Sequence, residues 1–536
     1  MATMSGYGGP VTTVKEGLGP DAEGTGAGTA ATEAASPQAE RGWRAAVPDL
    51  PGLIRRHWIF SIVLGLAAVP RLVAMLGFQP AVLFRLDTFD YLWGAVHLSP
   101  NVVNPSGYSL VLWLLRPFHS LTLVAALQHL TGLGIATMVY ALVRRYGLPD
   151  WGATLAAAPV LFDPAQILVE QFVMADLLAM ALMMGSFTVL LLRRSPSLPR
   201  AVVAGLLMGL SVIVRPTTLP LVLLIPIFLL LTKAGWRRAG ASLLAGALPV
   251  LAYMGWFAAV HGSFNLTNSN GLFLWSRTMS FANCAVIQPP ADLRALCPDE
   301  QPGRLARPDP AKRLQPRWYL WDHRTWQWQH ERSGFVPDSA AFTPANNSRA
   351  LRFAIDAITA QPAAYLRVVV GETVEPFIHT NNLRFPGYQP KSALALSSAD
   401  YRYAIGAVRA YTGSYDGVRG NIGYVYGTRV HGPYVYLMNE YQHIVFLPGP
   451  LFALIMLTGL AGIILPRRRT ADAALLWVSA VTIMVLPVLE HEYAYRYALP
   501  AVPLACIAAA IALRKPGQEA AQGLQTAQAP EPAPQA

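Results

Sequence analysis

Apolar residues run in long stretches along most of this chain, with polar residues gathered in short clusters between them. Ten stretches read as membrane-crossing helices: 58–78, 121–143, 151–168, 173–192, 200–214, 217–232, 240–260, 445–465, 471–488 and 497–513. A helix rises ~1.5 Å per residue, so about 20 apolar residues cross the ~30 Å hydrocarbon core of a bilayer. Segments 200–214 and 217–232 are short, with Arg215-Pro216 between them. The pattern there predicts two helices meeting at a tight outer turn, or one kinked re-entrant unit. The expected fold class is an all-α polytopic membrane protein of about ten transmembrane helices, with juxtamembrane helices and a large extracytoplasmic loop region.

Charge sets the expected orientation. Arg55-Arg56, Arg144-Arg145, Arg193-Arg194, Lys233 with Arg237-Arg238, Arg467-Arg468-Arg469 and Arg514-Lys515 fall at alternate span ends. Basic residues concentrate on the cytoplasmic side of membrane proteins. The pattern therefore predicts a plasma-membrane protein with both termini cytoplasmic. It assigns residues 79–120 to a first external loop and 261–444 to a far longer one. Tight outer turns are expected near 163–172, 215–216 and 489–496.

The expected organisation is a disordered cytoplasmic tail over 1–52, a transmembrane catalytic module over 53–260 and an extracytoplasmic region over 261–444. C-terminal transmembrane helices over 445–513 and a second tail over 514–536 complete it. The tails are poor in apolar residues, so neither can form a packed core. No cleavable signal peptide is expected, because the first apolar run begins well past the usual position.

Composition agrees with a membrane class. Of 536 residues, 53% are hydrophobic and only 13% charged, and the mean hydropathy is +0.36. The net charge of +11 is explained by the span-end clusters, so no nucleic-acid partner is expected. Cys284 and Cys297 share the long external segment, where either a disulfide or two unpaired thiols fits, and Cys506 lies within the last span.

The chemistry-bearing residues gather at outer span ends. Asp87-Thr88-Phe89-Asp90-Tyr91 follows the first span, and Asp87, Tyr91 and Ala95 share one helical face with Asp90 near its edge. Carboxylates beside hydrocarbon are costly unless they have a partner or a task. Helix capping accounts for one acid more readily than for two. Asn104-Pro105-Ser106-Gly107-Tyr108 forms a turn into the apolar run 108–118, which fits a helix lying along the interface. Asp176, Arg215 and the cluster Glu490-His491-Glu492-Tyr493-Ala494-Tyr495-Arg496-Tyr497 sit at other outer ends. Arg215 and Arg496 also suit snorkelling at the interface. His491 between two glutamates is a weak cue for a divalent metal, since further ligands would have to come from elsewhere. No cofactor is expected. Trp318, Trp321, Trp326 and Trp328 lie close together in the long loop and suit either the membrane interface or sugar rings.

Over roughly 55–260 and 445–513 the chain resembles the GT-C class of lipid-phosphate-sugar-dependent glycosyltransferases. That class includes the protein O-mannosyltransferases and the aminoarabinose transferase that acts on lipid A. The resemblance rests on short motifs. They are Asp-x-x-x-Tyr-x-x-x-Ala at Asp87, Tyr91 and Ala95, and Pro-x-Gly-Tyr at Pro105, Gly107 and Tyr108. Asp176 opens the fourth span, Arg215-Pro216 follows the fifth, and Arg-Tyr-x-x-Pro matches Arg496, Tyr497 and Pro500. The chain departs from many relatives in having Thr88 after Asp87, where they carry a second acid, so Asp90 is the expected substitute. Glu170 competes with Asp176 for the fourth-span acid. Gln361-Pro362-Ala363-Ala364-Tyr365-Leu366 resembles a juxtamembrane element of some actinobacterial relatives, and with the excess of Arg over Lys it implies an actinobacterial origin.

The resemblance implies an inverting transfer from a polyprenyl-phosphate sugar to an extracytoplasmic acceptor (protein, glycan or lipid) at the outer face. Asp87 is then the expected base, with Asp90 assisting. Arg215 and Arg496 are expected to hold the lipid phosphate, because a guanidinium fork binds two phosphate oxygens at once. Tyr91, Tyr108, Asp176, Glu490, Glu492 and Tyr497 are expected to shape the sugar or acceptor pocket. Two other readings share the apolar architecture: a transporter or lipid flippase, and a glycan ligase or polymerase with a pyrophosphate-linked donor.

Overall fold

The structure is a computed structural model. It describes residues 50–193, 196–307, 309–322, 324–325, 338–378, 383–385, 398–413, 421–422, 425–426, 428–465 and 470–514. The expected tails (apart from 50–52 and Arg514), and Arg194, His323, Trp326, Trp328 and Arg467-Arg468-Arg469, lie outside the described residues. The chain divides into two units. In the first, residues 1–56, the described element is the helix Leu50–Arg56. Everything below belongs to the second, residues 57–536.

Each of the ten apolar stretches is helical, as expected of an all-α multi-pass membrane protein. Among the described residues, Trp58–Gly77, Leu121–Arg145, Trp236–His261 and Ala471–Glu490 are each long and apolar enough to cross a membrane. Three bent pairs bring the number to seven if each pair is one span. These are Asp150–Phe162 with Pro164–Gln171, Pro344–Ala360 with Pro362–Ile378, and Gly432–Ile444 with Gly449–Ile464. Asp176–Leu191, Leu198–Val214, Pro216–Leu231 and Ala501–Leu513 are apolar but shorter. The sequence reading placed 344–378 wholly outside the spans, yet its two helices together meet the same length and hydropathy criterion, with a 99° bend.

Local chemistry explains the 53° bend after Phe162. Pro164 has no amide hydrogen to give and starts a new helix readily. Asp163 caps that helix, accepting from Ala165 N at 2.7 Å and from Leu447 N at 3.0 Å. The same carboxylate thus fixes the start of Gly449–Ile464 against the bend.

The first span shows how sequence spacing selects its buried face. Ala67, Arg71 and Ala74 are buried, while Ile62, Leu66, Val69 and Leu72 are exposed to the surroundings. Arg71 is only 2% exposed, and a lone guanidinium there would be very costly. Its Nε donates to Glu170 Oε2 and its Nη2 to Glu170 Oε1, both at 2.8 Å. His129 Nδ1 lies 2.9 Å from Glu170 Oε2, and Gln166 Nε2 donates to Oε1 at 3.1 Å. Gly132 faces this cluster, and any Cβ there would collide with the Glu170 carboxylate. Glu170 is therefore fully engaged in a structural network.

The long segment 261–444 has its own core. Trp275, Tyr319, Phe342 and Phe353 are buried together with residues of the span Trp236–His261. A disulfide joins Cys284 to Cys297. A short antiparallel pair ties this segment to the end of the first span, with Phe78 opposite Val430 and Gln79 opposite Arg429.

Candidate active site

Stretches far apart along the chain build one cavity of about 900 Å³. The first is the helix Arg85–His97. Its first turn is closed by Thr88, whose Oγ1 accepts from Phe84 N at 2.8 Å and donates to Val173 O at 3.0 Å. Neither acid caps the helix. Asp87 and Tyr91 line the cavity, as their spacing on one face requires.

The second stretch is 172–176. Val82 N donates to Gln171 O and Val173 N to Val82 O, which binds this stretch to the extended residues before Arg85. Gln128 Nε2 donates to Glu170 O at 2.8 Å and to Phe172 O at 2.6 Å. The result directs Asp176 to Arg215, with which it forms an ion pair.

Arg215 ends the helix Leu198–Val214 in an extended conformation, as a residue before proline must. The neighbouring helix Gly107–Leu115 approaches so closely that a Cβ on Gly107 would stand 2.5 Å from the Ile213 carbonyl oxygen. Glycine at 107 is thus what lets the Arg215 turn sit where it does.

The fourth stretch, Glu490–Tyr497, crosses the cavity. Arg496 Nη1 lies 3.3 Å from Asp87 Oδ2, and Nη2 donates to Tyr497 OH at 3.0 Å. Its guanidinium stands 4.8 Å from the Phe84 ring centre and 4.9 Å from that of Tyr497. Arg215 stands 5.2 Å from the same Tyr497 ring. Two guanidinium groups therefore share one aromatic neighbour, each beside one carboxylate.

Further lining comes from the segment 261–444. Arg317 pairs with Glu492, Nε to Oε1, at 2.9 Å, and Arg317 N donates to Glu492 Oε2 at 3.2 Å. Arg277 donates twice to Glu372, at 2.7 and 2.6 Å, and Tyr493 N donates to the same carboxylate at 2.7 Å. Ser276 Oγ and His491 Nδ1 lie 2.8 Å apart. Glu372, Glu375, Arg317, Arg384 and His491 all line the cavity.

Burial sets the electrostatics. It works against the charge of Arg496, but Tyr497, Asp87 and Asp176 outweigh it and hold the guanidinium protonated, its pKa above the ordinary value. Burial likewise opposes Arg215, and Asp176 more than restores it. Burial raises the Tyr91 phenol, keeping it neutral and able to donate. Glu492 is raised above its ordinary value by burial, with Arg317 pulling the other way. Burial, helped by the positive fields of Arg277, Arg317 and Arg496, pulls His491 down to about 3.

Of the residues singled out in the sequence, Asp87, Tyr91, Arg215, Glu490, Glu492, Arg496 and Tyr497 line this one cavity. Asp176 stands behind Arg215, beside a chamber of about 20 Å³ that Arg215 and Tyr497 also border. Asp90 and Tyr108 are not brought to the cavity wall. Asp90 is buried and accepts from Tyr403 OH at 2.9 Å. Tyr108 donates to Gln128 Oε1 at 2.7 Å and sets its ring edge-on to Tyr91, 5.1 Å between centres. Both therefore stand one layer behind the wall, Tyr108 linking Tyr91 to the Gln128 contacts that hold 172–176. Trp321 lines the cavity and Trp318 stacks with Arg304. Among the described residues, no group of three or more His, Cys, Asp or Glu is placed to hold a metal ion. The sequence reading gave no site role to Glu372, Glu375, Arg317 or Arg384. The pair Glu372 and Glu375 on the mostly apolar helix Pro362–Ile378 was the available signal.

No family model and no curated protein matches the chain. Among solved structures it is similar to the archaeal oligosaccharyltransferase AglB from Archaeoglobus fulgidus, in complex with an inhibitory peptide and a dolichol-phosphate. That match has 14% identity and a TM-score of 0.36, covering 89% of this chain and 53% of the other. It is also similar to ArnT from Cupriavidus metallidurans bound to undecaprenyl phosphate. There the identity is 12% and the TM-score 0.32, with 89% of this chain and 81% of the other covered. The chain spans about half the length of the archaeal enzyme it matches.

Proposed function

We propose that this protein is an integral-membrane inverting glycosyltransferase that moves a sugar from a polyprenyl-phosphate donor to a hydroxyl of an extracytoplasmic acceptor. The observation that carries this reading is the meeting of Asp87 with Arg496 and Arg215 in one cavity at the ends of apolar helices.

In this reaction the acceptor oxygen attacks the anomeric carbon from the face opposite the phosphate. Asp87 takes the hydroxyl proton, and a placed carboxylate base is worth roughly 10²–10⁴-fold. The bond from the anomeric carbon to the phosphate oxygen breaks, and the electron pair stays with the lipid phosphate. Arg215 and Arg496 stabilise that charge, which is often the largest single contribution. The ion pair of Arg496 with Asp87 fits both roles, because phosphate binding draws the guanidinium away and leaves the carboxylate free to accept a proton. Tyr91, Tyr497, Glu490 and Glu492 shape the pocket, with Asp176 holding Arg215 and Asp90 and Tyr108 supporting the Asp87 helix from behind. Both termini lie in the cytoplasm and the cavity opens outward, in line with the basic span ends.

The experiment uses purified protein in proteoliposomes with matched polyprenyl-monophosphate and polyprenyl-pyrophosphate sugars. Transfer from the monophosphate donor supports the reading. Transfer from the pyrophosphate donor alone would assign a ligase or polymerase, and accumulation of substrate without any transfer would assign a transporter.

A further inference from the structure

His491 is placed for a task that the reaction above leaves unassigned. It ends the span Ala471–Glu490 with φ −141° and ψ −86°, lines the cavity and is 7% exposed. Its ring meets Phe273 edge-on at 4.8 Å, which fixes its plane.

The hydrogen bonds around Ser276 decide its tautomer. Ser276 Oγ is 2.6 Å from the Phe273 carbonyl oxygen, and a carbonyl only accepts, so the single hydroxyl hydrogen is committed there. The same Oγ lies 2.8 Å from His491 Nδ1. It can only accept from that nitrogen, so Nδ1 carries a hydrogen. Burial, helped by the positive fields of Arg277, Arg317 and Arg496, keeps the ring uncharged. In a neutral imidazole with hydrogen on Nδ1, Nε2 keeps its lone pair. Among the described residues Nε2 receives no hydrogen bond, and Glu492 Oε1, 4.0 Å away, is itself only an acceptor when ionised.

We propose that His491 is a substrate-binding residue whose Nε2 accepts a hydrogen bond from a hydroxyl of the sugar or acceptor held in this cavity. The wall around it is rich in carboxylates and guanidinium groups. A neutral acceptor there reads a hydroxyl without attracting the lipid phosphate. A buried acceptor left unpaired penalises a substrate lacking that hydroxyl. This inference rests on the glycosyltransferase reading.

The test compares wild type, His491→Asn and Ser276→Ala, each full length in proteoliposomes. Asparagine keeps a donor near the Nδ1 position for Ser276 but has nothing at Nε2. Sugar transfer is measured with a polyprenyl-monophosphate sugar, and binding is measured separately with polyprenyl phosphate that carries no sugar. His491→Asn is expected to lower kcat/KM by roughly tenfold or more while leaving the affinity for the sugarless lipid unchanged. A raised KM for the donor assigns the hydroxyl to the sugar, and a raised KM for the acceptor assigns it to the acceptor. Ser276→Ala frees the tautomer and is expected to give a smaller loss of the same kind. Wild-type transfer by folded His491→Asn overturns the inference. So does an equal loss of transfer and of sugarless-lipid binding, which marks a purely structural role. A wild-type protein that binds the lipid but transfers no sugar removes the glycosyltransferase reading, and this inference with it.

Discussion

Arg496 and Asp87 are 409 positions apart in sequence and 3.3 Å apart in space. The contact joins the short helix Tyr495–Ala498 to the helix Arg85–His97. In the proposed reaction it sets the base beside one of the two guanidinium groups that hold the lipid phosphate.

Arg496→Lys and Arg215→Lys should each weaken binding of polyprenyl phosphate. Lysine keeps the charge but loses the planar fork and its stacking on Tyr497. A charged hydrogen bond is worth about 1.5–3 kcal/mol, so the dissociation constant should rise roughly 10- to 150-fold. Native mass spectrometry of lipid-loaded protein measures it, and an unchanged affinity in both variants would remove these residues from the phosphate site.

Gly107→Ala should act on the cavity from a distance. The added methyl would meet the Ile213 carbonyl oxygen at 2.5 Å, and relief requires the Arg215 turn to move. Overpacking of this kind costs about 1–3 kcal/mol. The donor KM should rise with little change in the thermal midpoint, as a titration of donor against transfer rate would reveal.

Arg71→Ala should destabilise the fold without touching the chemistry. It leaves Glu170 buried and charged with Arg71 gone from its partners, a change costing about 3–5 kcal/mol. The double variant Arg71→Met with Glu170→Met should recover much of that loss. Thermal unfolding in detergent measures both, and a normal midpoint for Arg71→Ala would show that the pair contributes little.

The helices were legible in the sequence because the length of their apolar stretches follows from the bilayer. Asp87 and Tyr91 were legible together because four residues make about one helical turn. Asp90 was not, because what turns it from the cavity is Tyr403, more than 300 residues later. No local pattern announces that contact. The same holds for Glu170, whose partners Arg71 and His129 lie on two other helices. Glu372 and Arg317 were missed for a related reason. Their places are set by packing within 261–444, where hydrophobic periodicity is broken by short helices and turns.

Folding should depend on pH through His491. Its pKa falls from the ordinary histidine value to about 3 in the folded protein, so below the ordinary value the unfolded chain binds more protons. Stability should therefore be full above about pH 6.5 and decline as the pH drops toward 3. His491→Asn should lose this component. Transfer should meanwhile show no inflection from this residue between about pH 5 and 8, since the ring stays neutral throughout. Paired pH profiles of unfolding and transfer test both signs.

Single-turnover transfer by Asp87→Asn, loaded with labelled polyprenyl-monophosphate sugar, probes the shared cavity most directly. The folded variant should still bind the sugarless lipid within a few-fold of wild type, while its transfer rate falls by roughly 10²–10⁴-fold. Transfer at the wild-type rate by that lipid-loaded variant would contradict Asp87 as the base.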